Sequence, residues 1–275
     1  MAGMVHENEA PRWSDVPFFV ALSILGGTYI VLIAAMLVAD ASFTSPAHIW
    51  NALASENIRY AIKLSLISCS ITTILSLWVA VPLGYALSRW HFPGKPLIDA
   101  LLDIPIVLPP LVVGLSLLIL FQTPPGRAIE RVVPVTYAVP SVILAQFAVA
   151  CAFAVRTMRV SFDQIPVRRE QVALTLGCSR AQAFWWVVLP EARRGLVTAA
   201  TLAWARALGE FGPILVFSGA TRMHTEVLPT TVFLELSVGN LEAAVAVSLL
   251  MVAAALIVLV IVRVYGMEAP AARLK

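Results

Sequence analysis

Long apolar runs, each near the length that crosses a bilayer, alternate with short polar stretches along most of this chain. Six such runs stand out, at 17–39, 60–88, 97–121, 137–155, 196–217 and 241–262. About 20 apolar residues rising ~1.5 Å each cover a hydrocarbon layer of ~30 Å, so each run predicts a transmembrane helix. The strict apolar–polar alternation of barrel strands is missing. The pattern therefore predicts an all-α, polytopic membrane protein with six transmembrane helices. One long polar interruption, residues 156–195, separates the fourth run from the fifth.

That interruption has a helical pattern of its own. Pro166 is tolerated at the start of a helix, and Arg168 to Leu176 then runs without a breaker. Gly177 can take positive φ and stop the helix. Ser179 with Gln182 three residues on has the form of a capping box, which predicts a second helix carrying Phe184, Trp185, Val187 and Val188. Pro190 is expected to end it. Helix, glycine turn, helix, proline reads as a compact plug with an apolar back and a basic rim, suited to docking on a partner.

Composition agrees with a membrane chain: 275 residues, 60% hydrophobic, 13% charged, mean hydropathy +0.88. The net charge of +3 is too small to suggest nucleic acid. What matters is where the cations sit. The N-terminal segment, residues 89–96, the long loop and the C-terminal tail carry 13 Lys and Arg, against 5 on the opposite side. By the positive-inside rule both termini and the 156–195 loop should be cytoplasmic. Run 17–39 is preceded by Glu7, Glu9 and Asp15 rather than a basic cluster, so it is expected to remain as a membrane span and not be removed as a signal peptide. Cys69, Cys151 and Cys178 form no Cys-x-x-Cys motif and no disulfide set, and His6, His48, His91 and His224 lack metal-ligand spacing.

Two runs carry chemistry. The third holds Asp99 and Asp103 near one end, with Pro105, Pro109 and Pro110 inside it. Proline bends a helix and frees carbonyls, which a membrane tolerates only against other helices or a wet path. A kinked packing helix and a pore-lining or gating helix both fit. The fifth run holds Arg206 and, four residues on, Glu210. An isolated charge at mid-bilayer costs about 2.5–3.5 kcal/mol, so the two should pair or face water. A structural ion pair and a place near the translocation path or its gate remain open.

The long loop resembles the EAA loop of ATP-binding cassette (ABC) importer permeases, in which a glycine is followed by an aliphatic residue ten positions later and then by Leu-Pro. Gly177, Val187, Leu189 and Pro190 match that spacing. The name-giving Glu-Ala-Ala aligns with Gln171, Val172 and Ala173, with Glu170 one place early. The Pro-Pro run of the third span and Arg-Ala-Leu-Gly-Glu-Phe-Gly in the fifth resemble segments of molybdate, tungstate and sulfate permeases. The resemblance covers about 60–262 and implies a type I importer bundle that moves a tetrahedral oxyanion into the cytoplasm. It implies an ATPase-coupling loop made of Glu170, Gln171, Val172, Ala173, Gly177, Ser179, Val187, Leu189 and Pro190. Arg206, Glu210, Asp103, Pro109 and Pro110 become pore or gate candidates.

The implied organisation is a cytoplasmic segment at 1–16, a first span at 17–39, a permease core of five spans at 60–262 containing the loop, and a cytoplasmic tail at 263–275. The implied partners are two ATPase subunits, a second copy of the permease, an extracytoplasmic binding protein and the lipid bilayer. ATP and magnesium belong on the ATPase, and no cofactor or metal is expected on this chain. No Gly-x4-Gly-Lys-Ser/Thr, Gly-x-Ser-x-Gly or His-Glu-x-x-His occurs, so no catalytic device is legible. An ion-coupled carrier should show inverted repeats, and a membrane enzyme should show facing catalytic groups. The loop fits neither.

Overall fold

The structure is a computed structural model that describes residues 16–267, with side chains to residue 260. The segments expected at 1–16 and 263–275 therefore lie largely outside the described residues. Two compact units divide the chain, Met1–Pro46 and Ala47–Lys275. The first contains α1 (Val16–Phe43), apolar on every face. The second contains α2 (Pro46–Ala54) apart from its first residue, α3 (Glu56–Arg89), α4 (Lys95–Val107), α5 (Pro110–Gln122), α6 (Pro124–Glu130) and α7 (Val139–Asp163). It continues with α8 (Val167–Thr175), α9 (Arg180–Ala183), a π-helical turn (Phe184–Val188), α10 (Leu189–Glu191), α11 (Arg193–Leu208), α12 (Gly212–Phe217), α13 (Leu228–Ser237) and α14 (Leu241–Met267). Among the described residues there is no strand.

The core of the second unit is α3 against α7, with α11 laid on both. Small residues make this possible. Ala61, Ser65, Ser68, Cys69, Thr72, Ser76 and Ala80 recur at helical spacing along α3 and are all buried, so the backbones approach closely. The hydroxyls on this stripe need partners in an apolar setting. Thr72 Oγ1 donates to Gln146 Oε1 at 3.1 Å, and the amide of Gln146 reaches Cys69 Sγ at 3.6 Å. From the far end, the Leu228 N–H donates to Ser65 Oγ at 2.8 Å and seats α13 on α3.

Four helices are long and apolar enough to cross a membrane: α1, α3, α7 and α14. The expectation of six spans is not reproduced, and the reason is proline. The third run is not one kinked helix: α4 and α5 meet at 113°, and the pair counts as a fifth span only if taken together. Residues before proline are pushed out of the helical region, and here Leu108 and Pro109 are both extended, with ψ of 141° and 134°. The fifth run is likewise broken. Pro213 lacks an N–H and its ring excludes the carbonyl four residues back, so α11 stops at Leu208 with Gly209 as its cap. Sixteen residues at ~1.5 Å each give α11 about 24 Å, short of the hydrocarbon layer.

The two breaks lie against each other. A Cβ on Gly212 would stand 2.7 Å from Pro110 Cβ and 3.0 Å from the Leu111 nitrogen, so glycine alone allows α12 to seat on α5. Gly212→Leu should overpack this contact by about 1–3 kcal/mol and lower the thermal midpoint of the purified protein. Gly26→Leu, with nothing within 4 Å of its Cβ, should not. Equal midpoints in a fluorescence melt would refute the packing argument.

Candidate functional site: the docked loop and the broken spans

Of the polar stretch 156–195, residues 156–163 continue α7 and 193–195 begin α11, and the loop between them is folded onto the bundle. α8 ends at Thr175, Gly177 takes φ +91°, and Ser179 caps α9. The capping box is formed in full: the Ser179 N–H donates to Gln182 Oε1 at 2.8 Å, and the Gln182 N–H to Ser179 Oγ at 3.3 Å. The expectation that Pro190 ends the second helix is corrected. The chain passes from α9 through one π turn into α10, and Leu189 N–H bonds back to Phe184 O, five residues earlier. Widening the turn gives the ring of Pro190 room, so the proline opens α10 instead of terminating α9.

Glu170 is the anchor of this loop. Tyr85 Oη donates to its Oε1 at 2.6 Å, and Arg89 Nε lies 3.4 Å from Oε2. Arg89 also donates through Nη2 to Ile165 O at 3.0 Å, joining the end of α3 to the entry of the loop. Both charged side chains are largely buried. Phe184 packs edge-on against the Tyr85 ring at 4.7 Å, and Phe162 does so at 5.6 Å. Arg169 pairs with Glu191, closing α8 onto α10.

The basic rim is present, with Arg168, Arg169, Arg180, Arg193 and Arg194 exposed, but the outward surface is apolar as well. Ala173, Ala183 and Val188 are buried, while Val172, Trp185, Trp186 and Leu176 face out, the last two 67% and 79% exposed. Gln171, Ser179 and Pro190 are exposed too, with Val187 and Leu189 half-buried. Exposed aromatics and aliphatics gathered in one place mark a binding surface. Sequence reasoning missed Tyr85, Arg89 and the exposure of Trp186. Their one local signal is that Tyr85 and Arg89 stand at i and i+4 on the last turns of α3.

The intramembrane candidates fall in two places. Asp103 pairs with Arg156 and Asp99 with Arg159, tying α4 to α7 near the loop. Arg206 pairs with Glu210, whose side chain is 1% exposed, and the guanidinium stands 5.7 Å from the centroid of Phe153. Glu210 sits in the break between α11 and α12, and Pro109 and Pro110 form the break between α4 and α5. The structure therefore gathers Glu210, Pro110 and Gly212 around two interrupted helices. Broken helices at membrane depth persist only against protein or a wet cavity.

On the opposite end, the 218–227 loop and α13 form a polar knot. Arg222 Nη2 meets Glu235 Oε1 at 2.9 Å, and Asn240 Nδ2 donates to Glu235 Oε2 at 2.9 Å. Glu226 is fully buried. Burial pushes its carboxyl above the ordinary range, and the Thr231 hydroxyl and the charge of Arg222 offset this only in part. No cluster of metal-binding side chains occurs among the described residues.

A helical bundle with interrupted spans, a charged pair at the interruption and a folded plug on one end is the build of a membrane transport subunit. Residues 80–269 match the sequence model of binding-protein-dependent transport system inner membrane components. The chain belongs to this family: it is a permease subunit of an ABC importer, a multi-pass inner-membrane protein whose ATP hydrolysis resides on a separate chain. It is 32% identical to the sulfate transport system permease protein CysT of Salmonella typhimurium over 226 residues, covering 81% of this chain and 82% of that one. It is 34% identical to the molybdenum transport system permease protein ModB of Mycobacterium tuberculosis over 250 residues, covering 90% and 94%. In fold it matches a bacterial alginate ABC transporter solved with an alginate-bound periplasmic protein, with TM-score 0.74, 14% identity and coverage of 94% and 98%.

The burial of Glu226 sets a sign for pH dependence. A folded-state pKa raised above the unfolded one destabilises the ionised form, and the penalty is relieved as pH falls through the raised value. Glu226→Gln should therefore melt higher than wild type at pH 8, and the gap should shrink as pH approaches the carboxylate range. A gap constant from pH 8 to pH 5 would show that folding does not raise the pKa of this carboxyl.

Proposed function

We propose that this permease carries a tetrahedral oxyanion of the molybdate, tungstate and sulfate class into the cytoplasm, driven by ATPase subunits that grip the 156–195 loop. What carries the coupling half is Glu170: its carboxylate is held by Tyr85 and Arg89 while Val172, Leu176 and Trp186 face away from the bundle. A partner docked on that apolar surface pulls directly on α3. The substrate half draws on the relatives, whose names specify sulfate and molybdenum, and on the cationic Arg206 beside the broken spans.

Two copies form the pore, with α5 and α12 near the shared path. A binding protein delivers the anion to the face bearing α13. Both termini and the loop face the cytoplasm in this reading, supported by the cation excess on the loop side. Gly177, Ser179, Val187, Leu189 and Pro190 shape the plug, and Gln171, Val172 and Ala173 lie on the helix that enters the ATPase. ATP and magnesium act only there.

Uptake of labelled molybdate by cells expressing the permease with its ATPase and binding protein should be saturable and should compete with tungstate and sulfate. Uptake indifferent to all three would overturn the substrate class. Gly177→Leu forces a side chain into φ +91° and should abolish transport while ATPase activity no longer responds to loaded binding protein. If transport and stimulated hydrolysis both survive, the glycine turn has no part in coupling.

A further inference from the structure

At the end of the bundle that carries the loop, α7 and the start of α11 enclose a cleft of about 630 Å³. Arg156, Thr157, Ser161 and Gln164 line one side, and Arg194 and Thr198 line the other. The hydroxyls have already given their protons to their own helices. Thr157 Oγ1 donates to Phe153 O at 2.9 Å, Ser161 Oγ to Thr157 O at 2.8 Å, and Thr198 Oγ1 to Arg194 O at 2.9 Å. The donors left to a ligand are the two guanidinium groups and the amide of Gln164. One acid lines the cleft, Glu191, and its carboxylate is taken by Arg169. Arg156 is shared with Asp103, whereas Arg194 has no ion pair among the described residues. The net charge of the lining is therefore positive, and the planar fork of arginine suits the oxygens of a tetrahedral anion.

Along α7 the cleft begins one turn from the residue that Arg206 covers. The guanidinium of Arg206 stands over Phe153 of α7, and Arg156 and Thr157 follow Phe153 at i+3 and i+4. One helical turn, about 5.4 Å, thus separates the ring under Arg206 from the rim of the cleft.

We infer that this cleft is an exit site for the transported oxyanion, which leaves Arg206 and is held by Arg156 and Arg194 before release. The inference rests on the oxyanion reading above and deepens it by placing a selective site within the permease.

The test uses the permease–ATPase complex in nanodiscs of phosphatidylcholine, without binding protein, and measures equilibrium binding of labelled molybdate and of labelled sulfate. Binding of at least one should be saturable, weakened about tenfold or more by Arg194→Gln and largely kept by Arg194→Lys. Reconstituted with binding protein, the wild type should be inhibited by the same anion on the loop side, and Arg194→Gln should need about tenfold more of it. Unchanged affinity in Arg194→Gln would overturn the site. So would the absence of anion binding together with phosphatidylglycerol that copurifies with wild type but not with Arg194→Gln, which would assign the cleft to a lipid phosphate. Failure of wild-type cells to take up molybdate, tungstate or sulfate sinks the substrate reading itself. Normal uptake with no effect of Arg194→Gln on binding sinks only the exit site.

Discussion

The carboxylate of Glu170, held between the phenol of Tyr85 and the guanidinium of Arg89, is the contact on which the rest depends. A buried charge must be paired, and removal of one partner from such a pair costs about 3–5 kcal/mol. The loop therefore cannot lift off α3 without stranding Arg89 at the same time. That penalty converts a surface loop into a rigid extension of the longest helix in the second unit. Force applied to Trp186 or Leu176 reaches α3 through bonds and close-packed rings, with no slack segment between.

α3 in turn positions what lies at membrane depth. It packs on α7, α11 lies across both, and the interruptions of α4–α5 and α11–α12 meet beside that core. Proline makes each break, glycine lets them touch, and Glu210 with Arg206 neutralises the charge left between. The loop end and the broken spans are thus joined through α3, and at those breaks the backbone leaves regular helix inside the bundle.

What could be seen in advance followed from sequence range. The glycine stop at Gly177 and the box of Ser179 with Gln182 involve residues three apart or fewer, and they form as the local chemistry dictates. Glu170 was visible as an acid but its partners were not, because Tyr85 lies 85 residues away and only the fold brings it near. Pro190 was misjudged for a different reason: a π turn hides a proline from rules based on four-residue bonding. The prolines of the third run announced a bend, yet a 113° break needed the seat offered by Gly212, which no local pattern reveals. The outward Trp186 reads like core from composition alone, since helical spacing does not say which side meets a partner.

The small-residue stripe on α3 has a mechanical consequence. Thr73 and Ser68 turn their hydroxyls back on their own helix, to Cys69 O and Ser65 O, so little of the α3–α7 seam is bolted across. Helices packed this closely shift by small shear steps, each exchanging one discrete set of contacts for another. Thr72 with Gln146 is then the detent that gives such sliding a preferred stop.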